Sequence, residues 1–130
     1  MSCLFNSLGH LLNIPPQTVR QTICDYLAAN SPVLDGMVTH DILVIDSGSS
    51  PEQYIANMRQ AHVWGGAIEI QAAVNIWKSR VLVQNMRDRV LNGNSTIFAR
   101  DIEFIPIGVE PTSTLTIYWT GGHYEPVSKS

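Results

Sequence analysis

Between Lys78 and Arg80 the hydrophobic pattern changes period, and this change constrains the fold more than any other feature of the chain. Before it, apolar residues recur at helical spacing. Leu4, Phe5, Leu8, Leu11 and Leu12 make a first amphipathic stretch, which Pro15-Pro16 breaks. Thr18–Ala29 predicts a second helix with Val19, Ile23, Tyr26 and Leu27 on one face, ended by Asn30-Ser31-Pro32. Ile42 to Ile45 within Asp41–Asp46 is too short a run to separate a strand from a helical turn. Ser50 and Pro51 have the chemistry of an N-cap and a first helical residue, so a helix should run from there to about Gln60. Ala67–Lys78 is apolar enough to be a central buried helix. After it, Arg80–Asn85 and Ser95–Ile107 alternate as strands, with Asn92-Gly93-Asn94 as a turn. Leu115–Trp119 should pair with Tyr124–Val127 across Thr120-Gly121-Gly122. Helices first and strands second predict an α+β domain, with helices packed on a small, mostly antiparallel sheet.

The 130 residues suffice for one domain with a core of its own, spanning 1–130. A hydrophobic fraction of 45% against 15% charged residues is that of a globular chain. The net charge of −3 supplies no basic footprint for nucleic acid or an anionic membrane surface. No apolar run has the length of a membrane span, and the N-terminus lacks the pattern of a signal peptide. With only Cys3 and Cys24 there is no disulfide framework, so a reducing, cytoplasmic setting is expected. A monomer is expected as well. Metal binding finds no pattern to rest on, since the four histidines and two cysteines are scattered without ligand spacing. Gly65-Gly66 and Gly121-Gly122 lack the Lys-Ser/Thr continuation of a phosphate loop.

Chemistry concentrates at the two ends of the chain. Cys3 stands just before the first apolar stretch, with Ser2 as a possible N-cap, so a helix there would put the thiol in its first turn. The helix dipole and free N–H groups of that turn favour a thiolate. The other reading of Cys3 is a small buried hydrophobe. Cys24, between Ile23 and Asp25 inside a helix, reads as core filler. A nucleophilic thiol needs a base, and His123 follows a glycine turn at the start of a strand. Glu125 lies two residues further, on the same strand face, where it can orient the ring. The other reading of Glu125 is a solvated strand residue, and of His123 a surface histidine. His10, on the first helix near Asn13, reads as a surface or capping residue. Trp64 reads equally as the wall of a channel or a core anchor.

Three blocks, in order, are similar to the OTU (ovarian tumour) family of cysteine proteases. Ser2-Cys3-Leu4-Phe5-Asn6-Ser7-Leu8 resembles its nucleophile segment. Tyr54-Ile55-Ala56-Asn57-Met58 with Val63-Trp64-Gly65-Gly66, running on into Ala67-Ile68-Glu69-Ile70-Gln71-Ala72, resembles its central segment. Gly122-His123-Tyr124-Glu125 resembles its terminal strand. The resemblance implies an OTU-like fold and a deubiquitinase acting after the C-terminal Gly-Gly of ubiquitin or a ubiquitin-like modifier, with no metal or cofactor. It implies Cys3 as nucleophile, His123 as base and Glu125 as the orienting group, accepting from imidazole Nδ1–H as the family's aspartate would. Backbone N–H groups of Ser2 and Cys3 would hold the oxyanion. Trp64, Gly65, Gly66, Gly122 and Tyr124 would line the channel for a thin substrate tail. Two departures stand out: the family's aspartate three residues before the nucleophile would fall before Met1, and Glu125 stands where the family has Asn or Asp. The start of the chain at the motif leads to the expectation of excision from a larger protein. Two neighbouring readings follow, a viral or mobile-element polyprotein protease of the same fold and a ubiquitin-binding module without catalysis.

Overall fold

The computed structural model describes residues 3–48, 50–86 and 101–130. Helix α1 (Cys3–Leu12) stops where Asn13 takes a left-handed conformation, φ 59°, and Ile14 N–H closes back on the Gly9 carbonyl at 3.0 Å. That reversal lays the next segment against the helix. A side chain at Gly9 would meet the Ile14 carbonyl oxygen at 2.6 Å, so only glycine fits. Helix α2 (Pro16–Ala28) begins two residues earlier than its apolar pattern predicts. The second proline occupies the first turn, where a missing N–H costs nothing. Val19, Ile23 and Leu27 of α2 are fully buried together with Leu4, Phe5 and Leu8 of α1.

A short hairpin that the sequence pattern did not reveal follows, β1 (Pro32–Leu34) and β2 (Met37–Val38), turning at Gly36 with φ 78°. Its strands are too short for any alternation to register. The ambiguous segment at 41–46 is helical, as α3 (Thr39–Ser47). Helix α4 (Pro51–Met58) starts as expected, with Ser50 Oγ accepting from Gln53 N–H at 3.2 Å. Helix α5 (Ala67–Trp77) is the central one, and Ile70, Ala72, Ala73 and Val74 are all buried.

The sheet carries β3 (Arg80–Asn85), β4 (Ile102–Phe104), β5 (Thr114–Trp119) and β6 (Tyr124–Lys129) in the order β4-β3-β5-β6. Two of its three pairings are antiparallel, while the central β3–β5 pair is parallel. The cause is topological: β4 reverses the chain once beside β3, and the return to β5 on the far side of β3 reverses it again. Val81 faces Leu115 and Val83 faces Ile117 in that pair, and all four are buried in the core. The β5–β6 pair is the predicted one, joined through 120–123. Of the strand expected at Ser95–Ile107, only its later part lies in the described residues, and the turn at 92–94 lies outside them. Helix α1 packs on α2 and on β6, so the N-terminal helix and the C-terminal strand lie side by side.

Candidate active site

That packing brings residues 120 positions apart into contact. Cys3 is the first residue of α1, and its Sγ lies 2.8 Å from His123 Nδ1. The imidazole is set by a turn with identifiable causes. Gly121 has φ 110°, which favours glycine, and Thr120 N–H donates to the His123 carbonyl at 3.0 Å. His123 Nε2 meets Glu125 Oε1 in a direct side-chain contact. The family resemblance implied a bond from Glu125 to Nδ1; the ring is turned the other way, with Nδ1 on the thiol and Nε2 on the carboxylate. His123 stands in the turn just before β6, with the ring nitrogen nearer the backbone on sulfur and the outer one on the residue two along. Both His123 and Glu125 are about half exposed, so solvent reaches the pair.

Cys3, Asn6, Ser7 and His10 on α1 and His123, Tyr124, Glu125 and Pro126 on the strand side line a cleft of about 270 Å³. Ser7 Oγ donates to the Cys3 carbonyl at 2.8 Å, which ties down the first turn of the helix from inside. Ser2, expected as N-cap and as an oxyanion donor, lies outside the described residues. Cys24 is fully buried in the core, and burial raises its thiol to about 11, the neighbouring Glu69 adding to the rise while Arg59 and Arg20 oppose it. It is core filler, as its sequence position suggested.

Val63, Trp64 and Gly66 line a second cleft, of about 450 Å³, with Tyr54, Asn57 and Ile68. Trp64 is 61% exposed there, which decides against a core anchor. Gly66 shares this cleft, but Gly65 has a different reason to be glycine. A Cβ on Gly65 would stand 2.9 Å from Leu4 Cδ2 and 3.0 Å from Phe5 Cζ, so it lets the loop close on the N-terminal turn of α1. Gly122 is exposed with open space where a side chain would be, beside His123. Tyr124 lines the Cys3 cleft and also a small apolar pocket with Ala67, Ile70 and Trp119. Burial raises its phenol, and the charge of Glu69 adds to that.

Two buried groups hold this loop, and sequence reasoning singled out neither. Arg20, 2% exposed, donates to the carbonyls of Met58, Ala61 and Val63 at 2.6, 3.1 and 2.9 Å, and its guanidinium lies 4.2 Å from the centre of the Phe5 ring. Glu69, 1% exposed, accepts from Gly66 N–H and from the Tyr54 hydroxyl, each at 2.7 Å. Burial holds its carboxyl above the ordinary range, and the Tyr54 and Gly66 bonds pull it back only in part. Glu69 sits three residues after Gly66, the spacing of a helix-start bond, and that spacing, with its place in the central family block, was the signal available in the sequence.

Among the described residues no group of three His, Cys, Asp or Glu gathers to hold a metal ion, and no helix is long and apolar enough to cross a membrane. The chain is 25% identical over 126 residues to the ubiquitin thioesterase Otu1 of Drosophila melanogaster; the match covers 97% of this chain and 32% of that protein, so the chain spans about a third of its length. The fold is similar to that of an ovarian tumour (OTU) domain solved in complex with ubiquitin, with a TM-score of 0.69 at 15% identity, covering 98% of this chain and 64% of that one. It is also similar to an OTU deubiquitinase from Wolbachia pipientis wMel bound to ubiquitin, with a TM-score of 0.65 at 17% identity, covering 98% and 91%. At such identities the solved structures speak to the fold. The family is carried by the sequence: residues 2–124 match the model of the OTU-like cysteine proteases, and the chain belongs to that family.

Proposed function

We propose that this chain hydrolyses the isopeptide or peptide bond after the C-terminal Gly-Gly of ubiquitin or a ubiquitin-like modifier. The observation that carries the reading is the contact of Cys3 Sγ with His123 Nδ1 at 2.8 Å, with Glu125 on the other ring nitrogen. The similarity to a ubiquitin thioesterase and to domains bound to ubiquitin supports the choice of substrate.

The chemistry follows from that order of contacts. Glu125 accepts from Nε2–H, which leaves Nδ1 of the neutral ring as the acceptor facing sulfur. His123 takes the Cys3 proton as the thiolate attacks the carbonyl carbon of the terminal glycine. The imidazolium so formed is stabilised by Glu125 and returns its proton to the leaving amine as the tetrahedral intermediate collapses to a thioester. Water then attacks the thioester while His123 accepts one of its protons, and the carboxylate product leaves with the Cys3 thiol restored. Trp64 and Gly66 would guide the substrate tail, while Gly65 would hold their loop against α1.

A ubiquitin probe bearing a C-terminal electrophile tests this. Covalent capture at Cys3, lost in Cys3→Ala, is the expected result. Binding without capture would leave only a ubiquitin-binding module, and neither binding nor capture would remove ubiquitin as the ligand.

A further inference from the structure

The cleft at Cys3 does not end at His123. Asn6 and His10 line it and also line an adjoining groove of about 550 Å³ with Asn13, Ile14, Pro15 and Pro16. Cys3, Asn6, His10 and Asn13 recur at helical spacing and form one stripe that starts at the nucleophile and runs to the far end of α1. Gly9 and Ile14, which close the reversal, also line this groove. Among the described residues, no hydrogen bond engages the side chain of Asn6, His10 or Asn13. The loop carrying Trp64, by contrast, meets α1 at its opposite, N-terminal end, through Gly65 against Leu4 and Phe5.

We infer that the groove along Asn6, His10 and Asn13 binds the leaving-group side of the substrate, the peptide segment that carries the acceptor lysine. This inference rests on the proposed isopeptidase reading. In that reaction the scissile bond lies across Cys3, and the amine half must leave past the imidazole that protonates it. If the acyl half arrives past Trp64 and Gly66, the amine half continues along the stripe on the other side. The chemistry of the lining suits a peptide main chain. Two carboxamides offer both donors and acceptors to backbone amides, and no lysine, arginine or carboxylate in the lining selects for a charged side chain. Recognition of this kind would favour an extended segment around the lysine over one particular sequence.

The test compares two substrates that share the acyl half. One is ubiquitin with a C-terminal aminocoumarin amide; the other is ubiquitin joined to the lysine ε-amine of a short unstructured peptide. The variant is His10→Ala/Asn13→Gly, chosen to fold: alanine suits the helix, and glycine suits the left-handed backbone at 13. The kcat/KM for the isopeptide substrate, divided by that for the aminocoumarin substrate, should fall by about five-fold or more in the variant, the loss of one or two hydrogen bonds. Parallel losses on both substrates, a ratio equal to that of the wild type, or a greater loss on the aminocoumarin substrate would each overturn the assignment. If the wild type cleaves the aminocoumarin substrate while the ratio fails to move, only the groove is wrong. If it cleaves neither, the isopeptidase reading falls and takes the groove with it.

Discussion

At the scale of single residues the two cysteines make opposite use of the same atom. Cys3 is half-buried at a helix start with an imidazole at 2.8 Å, whereas Cys24 is sealed in the core with its thiol raised to about 11. Thiol labelling of the folded protein near pH 8 should therefore modify Cys3 and spare Cys24, which peptide mapping can read. Cys3→Ala should abolish hydrolysis while leaving the denaturation midpoint close to that of the wild type. Cys24→Ala should keep activity and lose about 1 kcal/mol to a small cavity. His123→Ala should be as damaging as Cys3→Ala, because members of a catalytic unit are not additive. Glu125→Gln should be milder, since its amide oxygen can still accept from Nε2–H and hold the ring. A wild-type kcat/KM in Glu125→Ala would show a working Cys3–His123 dyad instead. Cys3, His123 and Glu125 were legible in the sequence because each is bonded to a neighbour two residues away or sits at an element boundary. Arg20 was not: its three acceptors are backbone carbonyls 38 to 43 residues later in the chain, and a carbonyl leaves no mark on the sequence.

At the scale of elements, what could be read followed from repeat length and punctuation. β3 matches its alternating run from Arg80 to Asn85, and α4 begins at the Ser50-Pro51 signal, because both depend on local chemistry alone. The hairpin of β1 and β2 was too short to carry a period, and α3 was decided by its packing against α4 and α2, not by its own pattern. The parallel β3–β5 pairing was equally hidden, since register and direction are set by the path of the connections. The loop from Met58 to Gly66 depends on such distant support. Arg20→Leu would strand three carbonyls that the guanidinium now satisfies, and should destabilise the protein by about 3 kcal/mol in urea denaturation. Because the same loop carries Trp64, the surviving folded fraction should show a raised KM for ubiquitin substrates with a smaller change in kcat. A loss confined to kcat would mean that the loop shapes the reacting atoms directly and not the approach of the tail.

For the whole molecule the consequence is a pH dependence of stability that originates in Glu69. Its carboxyl is buried behind the Trp64 loop, and desolvation outweighs the help it receives from Tyr54, Gly66 and Arg20, so its folded value lies above the ordinary 4.5. The native state then holds the Glu69 proton more tightly than the unfolded chain does. Below about pH 4.5 the carboxyl is protonated in both states and its contribution to stability is complete. As pH rises through the interval between the unfolded and folded values, the unfolded chain releases the proton first, and that contribution is lost. Glu69→Gln removes the titration while keeping an acceptor for Gly66 N–H and an amide that can donate to the Tyr54 oxygen. The stability of Glu69→Gln relative to wild type should therefore improve steadily as the pH is raised from 4.5 toward neutrality, and level off above the folded value. Paired urea denaturations of the two proteins across that range measure it. A difference between the two proteins that stays constant from acid to neutral pH would mean that Glu69 is ionised in the native state as readily as in the unfolded chain. The Arg20 guanidinium, and not burial, would then govern the carboxylate beneath the loop.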